Sequence, residues 1–180
     1  WDYSSSGYVV LGAVIEHEAG VPHEAFVQDH ILNPLKLTHT GFDQQPDGLA
    51  VGYKNRKEGV ADYADMSVAY SAWGMSSTVE DLLLWSQTLT TDALVPAETR
   101  DLMLQPYADV IGQPWDYAYG WLVGQDFGHA EAFHWGYANG FTSALKVFPG
   151  DHITIVVLSN QGNVNAIGIA HEIVKILFED

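Results

Sequence analysis

The most informative segment of the sequence is Phe133-His134-Trp135-Gly136-Tyr137-Ala138-Asn139-Gly140-Phe141. Two glycines stand among aromatic and apolar residues, a pattern typical of a strand edge. The missing side chain at Gly136 lets a substrate approach the backbone closely. His134 then presents an imidazole beside that edge, and the amide that follows Gly136 can donate to an incoming carbonyl group. The pattern gains weight from Tyr3-Ser4-Ser5 at the front of the chain.

The composition excludes several classes of partner and chemistry. The 180 residues carry 23 acidic and 7 basic side chains, a formal net charge of −16. Phosphate binding needs clustered Lys and Arg, so this balance argues against nucleic acid and against an anionic membrane as partners. The chain has no Cys, which excludes disulfides, thiolate metal sites and Cys nucleophiles. Its length fits a single domain, and no apolar run reaches the length of a membrane span.

The first part of the chain, residues 1–106, is predicted to be mainly helical with loops. Helices are expected over residues 8–16, 23–32, 78–89 and 96–104. The first, capped by Ser4, Ser5 or Ser6, is apolar nearly all round and is therefore expected to be buried. The second is expected to end at Asn33-Pro34. Residues 43–69 mix Gly, Pro, Asp and Tyr without a period, which predicts loops and short strands.

The second part, residues 107–180, is predicted to form an antiparallel sheet and a closing helix. Strands are expected over residues 117–123, 131–135, 141–148 and 153–159, joined by short turns. The closing helix carries Ile169, Ile173, Val174 and Leu177 on one face, which can pack on the sheet. The whole chain, residues 1–180, is therefore predicted to be one domain of the α+β class.

Taken together, these segments resemble a family of serine hydrolases that includes penicillin-binding proteins, class C β-lactamases and related esterases and D-peptidases. The front of the chain, Tyr3-Ser4-Ser5, resembles the Tyr-x-Asn element of that family. The stretch His134-Trp135-Gly136 resembles its Lys/His-x-Gly strand. Further matches are the connector at 33–40, the helix start at 71–81, Tyr119-Gly120-Trp121, and Leu158-Ser159-Asn160. The resemblance implies a β-lactamase/transpeptidase-like fold with an antiparallel sheet and flanking helices.

The resemblance also implies roles for individual residues. Tyr3 would be the phenol that carries a proton between the nucleophile and the leaving group, and His134 would hold the substrate or the proton network. The amide of Tyr137 would donate to the oxyanion. Substrate contacts are expected at Ser5, Trp135, Gly136 and Asn139. No metal and no cofactor are expected, and the substrate is a small molecule or a peptide.

The nucleophile is missing from this pattern. The family carries it in a Ser-x-x-Lys turn on a helix that precedes the Tyr element, and this chain begins at that element. The match at Ser143 to Lys146 lies in a predicted strand, where residues three apart point to opposite faces, so it cannot form the dyad. We therefore expect the first strands and the nucleophile helix to come from a longer chain, a second chain or a swap between copies. Alone, the chain is expected to be inactive.

The sequence departs from the family pattern at two residues, and several alternative functions remain open. Ser5 stands where the family has Asn and is equally well explained as a helix cap, and His134 replaces Lys. Both changes favour esterase or D-peptidase chemistry over turnover of penicillins. A β-lactamase-like binding or structural module without activity is the competing hypothesis, and an unrelated metal hydrolase is a third. The resemblance implies a periplasmic or secreted protein, while composition leaves the compartment, the substrate and the oligomeric state open.

Overall fold

A computed structural model describes residues 1–42, 49–55 and 57–179. The chain divides into two compact units. The sheet unit contains Trp1, Val51–Ala61 and Ser86–Asp180, and the helical unit contains Asp2–Ala50 and Asp62–Trp85. The organisation of residues 1–180 as one domain stays a prediction.

Six α-helices are assigned in the described ranges. They are α1 Ser5–Ala19, α2 His23–Val27, α3 Asn33–Leu35, α4 Val79–Ser86, α5 Ala97–Met103 and α6 Ala166–Phe178. A π-helical segment, Gln28–Leu32, joins α2 to α3, and two 3-10 helices lie at Met66–Val68 and Gln87–Leu89. None of the described helices is both long enough and apolar enough to cross a bilayer.

Ten strands are assigned in the part of the chain that the structure describes, and six of them form the main sheet. The strands are β1 Gly41–Phe42, β2 Tyr53–Asn55, β3 Gly59–Val60, β4 Met75–Ser76, β5 Ala108–Asp109, β6 Trp115–Tyr117, β7 Leu122–Asp126, β8 His129–Ala138, β9 Phe141–Phe148 and β10 Ile153–Ser159. The main sheet has the order β10-β9-β8-β7-β6-β5, and all of its pairs are antiparallel. Consecutive strands are neighbours, as short turns require, so the predicted antiparallel sheet is confirmed.

The core of the sheet unit lies on both faces of β8 and β9. On one face, called the α6 face, Phe148 is fully buried and packs against Ala170 and Val174. These two helix residues are four apart and share one side of α6. On the other face, Val147 packs with Leu89 and other residues from outside the sheet. The prediction that α6 covers the sheet is correct, but Ile169 and Leu177 lie on its exposed side and not on its packed face.

Helix α1 differs most from its sequence-based prediction. Its N-cap is Ser4, whose hydroxyl accepts a hydrogen bond from the Gly7 amide at 3.1 Å, and Gly20 ends the helix with φ 69°. The predicted helix is thus present, but only Gly12 is buried among its residues. Val10 and Leu11 are more than half exposed. Local sequence determines where a helix starts and stops, whereas burial depends on a packing partner that the periodicity does not specify.

Two predicted boundaries are also wrong. The second helix continues through Asn33-Pro34 and ends at Lys36, which has φ 58°. Asn33-Pro34 directly follows the π-helical segment Gln28–Leu32, where the helical hydrogen-bond pattern changes. The strand expected over residues 117–123 is two strands, β6 and β7, separated by a turn in which Gly120 has φ 78°.

Candidate active site

The candidate site is built on the second half of β8. Strand β7 pairs with β8 only as far as Leu122 opposite Phe133, whereas β9 pairs with β8 from Ala132 to Ala138. Within the described residues, the segment His134–Ala138 therefore has a strand partner on one edge only. Alternate backbone groups of a strand point to opposite edges, so half of the N–H and C=O groups of this segment face away from β9.

His134 lies on this segment and is half-buried. Its Nδ1 lies 2.8 Å from the carbonyl oxygen of Trp135. A carbonyl oxygen only accepts, so this contact assigns a proton to Nδ1. The ring also meets the edge of the Tyr117 ring, with 6.5 Å between centroids. Burial lowers the pKa of His134 below its ordinary value, and the hydrogen bond to Trp135 offsets this only in part, so the ring is neutral at pH 7.

Gly136 faces Ser143 across the β8–β9 pair. A Cβ at Gly136 would lie 2.6 Å from the Ser143 hydroxyl, so any side chain there would collide with it. The absence of a side chain at Gly136 thus makes room for a hydroxyl of the same protein. Residues two apart in a strand share a face, and His134 therefore lies on the face that carries Ser143.

Trp135 and Tyr137 lie on the opposite face of β8 and are aromatic and exposed. The Trp135 ring stacks on Phe133 at 6.1 Å between centroids, and Phe133 in turn meets the edge of Trp115 at 5.6 Å. Phe133 is buried, whereas 43% of Trp135 remains accessible. The structure thus places Trp135 as the outer member of an aromatic stack anchored in the core.

Asn139 and Gly140 form the turn between β8 and β9, and they are held by the segment that contains β2. Gly140 has φ 82°, and a Cβ there would lie 2.6 Å from Ala61 and 2.8 Å from the backbone of Gly52. The Tyr53 amide donates to the carbonyl oxygens of Gly140 and Asn160, at 3.3 and 2.9 Å. Asn139 itself is exposed. The tip of this hairpin is therefore fixed by backbone packing within the sheet unit.

Tyr3 and Ser5 belong to the helical unit. Ser5 is the first residue of α1 and is exposed, while the neighbouring Ser4 supplies the cap. This removes the cap as an explanation for Ser5. Tyr3 is about half exposed, and burial of the remainder, together with Tyr8, raises the pKa of its phenol. Tyr3 therefore keeps its proton at neutral pH unless a cation lies beside it.

Lys146 forms ion pairs with two carboxylates on the α6 face. Its Nζ lies 2.8 Å from both Asp126 Oδ2 and Glu131 Oε2, and its side chain is 5% exposed. His171 Nδ1 lies 3.0 Å from Asp126 Oδ2. Burial raises the pKa of Asp126, but hydrogen bonds from Lys146 and His171 outweigh it and hold that pKa below its usual value. Burial raises the pKa of Glu131, which Lys146 offsets only in part.

The match Ser143-x-x-Lys146 is therefore no catalytic dyad. Register places Ser143 opposite Gly136, whereas Lys146 pairs with carboxylates under α6. This agrees with the opposite faces expected for residues three apart in a strand. Among the described residues no group of three or more His, Asp or Glu side chains could hold a metal ion.

No motif in the sequence indicated that Ser143 lies beside Gly136, since the Ser-x-x-Lys match suggested for Ser143 only the role of a nucleophile. The signal was available in the turn, because pairing Ala138 with Phe141 across Asn139-Gly140 places Gly136 opposite Ser143.

The sequence of this chain is similar to a known protein family and to individual bacterial proteins. A sequence model of the β-lactamase family matches residues 1–177. The putative penicillin-binding protein PbpX of Bacillus subtilis is 32% identical over 112 residues, which are 59% of this chain and 28% of PbpX. Protein Flp of Staphylococcus aureus is 29% identical over 171 residues, which are 89% of this chain and 33% of Flp. The chain thus spans about a third of the length of these curated relatives.

Solved structures show the same fold. The octameric penicillin-binding protein homologue from Pyrococcus abyssi matches with a TM-score of 0.88 at 26% identity, over 98% of this chain and 42% of that one. The D-amino acid amidase of Ochrobactrum anthropi, solved with D-phenylalanine, matches with a TM-score of 0.81 at 22% identity, over 98% and 57% of the two chains. The ordered motifs, the antiparallel sheet with its closing helix and the match over residues 1–177 agree, and the chain belongs to the β-lactamase family of serine hydrolases.

Proposed function

We propose that this chain supplies one part of the active site of a serine hydrolase that transfers an acyl group from an amide, an ester or a peptide. The nucleophile, in a Ser-x-x-Lys turn, lies outside residues 1–180, in a longer chain or in a second one. Tyr3 transfers a proton, His134 orients the substrate, and the Tyr137 amide donates to the oxyanion. Ser5, Trp135, Gly136 and Asn139 contact the substrate.

The observation that carries this proposal is the one-sided pairing of the segment His134–Ala138. The His134 ring touches Tyr117 of β6, so it leans towards the β7 side of the strand, and the Trp135 carbonyl that it reaches points the same way. Backbone groups two residues apart point to the same edge, which directs the Tyr137 amide away from β9 as well. An amide with this orientation is suited to stabilise a developing oxyanion.

The chemistry of Tyr3 follows from its protonation. Its raised pKa makes it a phenol at neutral pH, able to donate a proton to a leaving group. To accept a proton from the nucleophile it requires a neighbouring cation, which the Lys of a Ser-x-x-Lys turn would supply.

The competing function is a binding module of the same fold without catalysis. One observation favours it: the only Ser-x-x-Lys of this chain is engaged in strand pairing and in an ion cluster. As for partners, the relative from P. abyssi is octameric, and we extend to this chain the proposal of a homo-oligomer. A small molecule or peptide is the proposed substrate.

The test is covalent labelling of the natural full-length protein with a fluorophosphonate, followed by peptide mapping. We expect one labelled Ser, in a Ser-x-x-Lys sequence outside residues 1–180. Tyr3→Phe should slow labelling by about 10²-fold or more, because it removes the proton donor and acceptor. The matched control is Tyr63→Phe, which changes an exposed tyrosine in the same way and should leave the rate unchanged. If no Ser reacts, the binding module is the better account.

A further inference from the structure

Helix α1 is covered along one narrow stripe. Four of its residues are at least partly buried, namely Tyr8, Gly12, Ile15 and Glu16. Tyr8, Gly12 and Glu16 follow one another at intervals of four residues, so they lie on the same side of the helix. The other residues of α1 are exposed. The groups that contact this stripe therefore determine the orientation of α1 within the helical unit.

Two consecutive residues of the helical unit, Tyr70 and Ser71, contact this stripe. The Ser71 hydroxyl donates to the carbonyl oxygen of Tyr8 at 2.7 Å. One turn further along α1, a Cβ at Gly12 would overlap the Ser71 side chain and lie 2.8 Å from the Tyr70 ring. The backbone of α1 therefore lies directly against these two residues, and a side chain at position 12 would separate them.

The contact extends to a third turn of α1 and includes an unusual backbone conformation. The Glu16 carboxylate accepts a hydrogen bond from the His23 amide at 2.8 Å and lies beside the Tyr70 hydroxyl, and these two groups lower its pKa below the usual value. Tyr70 has φ 47°, in the left-handed region that a bulky residue rarely adopts. A strained residue of this kind persists only where its surroundings fix it, and such residues are concentrated at functional sites.

Tyr3 directly precedes Ser4, the N-cap of α1, so its position depends on the start of this helix. The Ser4 hydroxyl accepts from the Gly7 amide at 3.1 Å and fixes the first turn. Tyr8 follows in the next turn, and its phenol, after burial, contributes to the raised pKa of Tyr3, which agrees with a short separation of the two phenols. A series of contacts thus leads from Ser71 through Tyr8 to Tyr3.

We propose that Ser71 is a positioning residue, whose hydroxyl holds the Tyr8 carbonyl and thereby fixes α1 in the orientation in which the Tyr3 phenol reaches the reacting atoms. The inference rests on the proposed function, because the role of Tyr3 in proton transfer belongs to it. Ser71 acts through Tyr8 and Tyr3. Removing its hydroxyl allows the first turns of α1 to shift, and a small displacement of a group that transfers a proton lowers the rate.

The test is a double-mutant cycle on the rate of fluorophosphonate labelling of the natural full-length protein. The cycle contains the wild type, Ser71→Ala, Tyr3→Phe and the double variant, and circular dichroism verifies that each is folded. We expect Ser71→Ala to slow labelling by about 3- to 10-fold in the presence of Tyr3, the range of a single hydrogen bond, and by less than about 2-fold in the Tyr3→Phe background. A purely structural role would slow both by the same factor. Equal slowing in both backgrounds, or none in either, would overturn the inference.

The matched control is Ser77→Ala. Ser77 is a half-buried serine of the same unit, and its hydroxyl lies 2.7 Å from that of Thr40, so the variant removes one hydrogen bond of a similar kind. We expect the labelling rate to stay unchanged in both backgrounds. If Ser77→Ala also slows labelling only in the presence of Tyr3, the coupling is not specific to Ser71 and the inference is wrong.

Hydrogen exchange followed by mass spectrometry provides a measurement that does not depend on activity. Ser71→Ala should raise the exchange rate of the amides in residues 3–12 by about 3-fold or more, because the start of α1 opens more often, and Ser77→Ala should not. If the wild type takes no fluorophosphonate, the hydrolase function fails and this measurement decides, so that unchanged exchange in residues 3–12 would overturn the positioning of Tyr3. A protein that is labelled at a Ser but shows no coupling in the cycle keeps the hydrolase function and loses the inference.

Discussion

On the two faces of strands β8 and β9, ionisable groups are handled in opposite ways. On the α6 face, Lys146 is buried with Asp126 and Glu131, and each charge is compensated by a neighbour within 2.8 Å. On the other face, loss of solvation lowers the pKa of His134, and the ring stays neutral at pH 7. One face of these two strands thus carries a buried cluster of ion pairs. The other face carries neutral polar groups beside a strand that is paired on one edge only.

The comparison of the two faces shows how a structural cluster of ionisable groups differs from a candidate site. Both faces show shifted pKa values, which on their own favour function only weakly. The cluster on the α6 face has its partners within the protein and lies under α6. The groups on the His134 face include a hydroxyl without a hydrogen bond among the described residues, next to backbone that pairs on one edge only. The one-sided pairing of β8 beside the half-buried Ser143 hydroxyl, more than a shifted pKa, makes the second face the candidate site.

The largest expected effect comes from breaking the cluster. Lys146→Met leaves the buried carboxylate of Glu131 and the half-buried one of Asp126 without their lysine and should lower the free energy of unfolding by about 3–5 kcal/mol. Urea denaturation measures this loss. The matched control is Lys175→Met, which removes a lysine that is 46% exposed and should change stability by less than about 1 kcal/mol. A Lys146→Met protein as stable as the control would show that the cluster does not hold the face together.

The charges of the same cluster can be removed together, so that no buried charge loses its partner. In the triple variant Lys146→Met, Asp126→Asn, Glu131→Gln no uncompensated charge remains. We expect it to recover much of the lost stability, because most of the loss comes from the orphaned charges. If the triple variant is no more stable than Lys146→Met, packing of the lysine stem and not charge compensation explains the loss.

A smaller effect is expected at Gly136. Gly136→Ala places a Cβ 2.6 Å from the Ser143 hydroxyl and should cost about 1–3 kcal/mol through overpacking. Adding Ser143→Ala removes the clashing atom, and the pair of variants should be more stable than Gly136→Ala alone. The control is Gly150→Ala, since a Cβ at Gly150 meets nothing within 4 Å. Thermal unfolding of the wild type, Gly136→Ala, the double variant and Gly150→Ala tests whether lack of space is the only reason for a glycine at position 136.

Parts of this fold followed from the sequence because they depend on neighbouring residues. The bounds of β9 and β10 were predicted correctly as 141–148 and 153–159, since a short turn at Pro149-Gly150 separates two β-rich runs. The cap of α1 was also predictable, because it is a local hydrogen bond at Ser4, one of the three serines expected to supply it. The strand predicted over 117–123 failed because its apolar residues continue across the turn at Gly120.

The site was less predictable, because it depends on strand register and on residues far apart in sequence. His134 and Gly136 could be chosen by resemblance, and their functional roles stay predictions. The cluster of Lys146 joins side chains from β7, β8, β9 and α6, and no spacing in the sequence brings them together. The exposure of α1 was unpredictable for a related reason, since an apolar helix gives no information about what covers it.

Two serines on the His134 face of the sheet should differ in their effect on stability. Ser86 is buried and its hydroxyl lies 2.9 Å from that of the half-buried Thr154, so Ser86→Ala should cost about 0.5–1.5 kcal/mol by removing this hydrogen bond. Ser143→Ala removes a hydroxyl that makes no hydrogen bond in the described structure, and should change stability by less than about 0.5 kcal/mol. Equal losses in urea denaturation would mean that Ser143 supports the fold.

The smallest effect is the pH dependence that His134 imposes on folding. Its pKa is lower in the folded protein than the value of 6.5 for an unperturbed His, so the unfolded chain binds more protons at mildly acidic pH. The contribution of His134 to stability is therefore constant above pH 6.5 and turns unfavourable as the pH falls below it. His134→Gln removes this term, so the stability difference between wild type and variant should shift towards the variant on acidification from pH 7.5 to 5. A wild type that gains stability relative to His134→Gln on acidification would mean that the pKa of His134 is raised and not lowered in the folded protein, and the neutral ring at pH 7 would be ruled out.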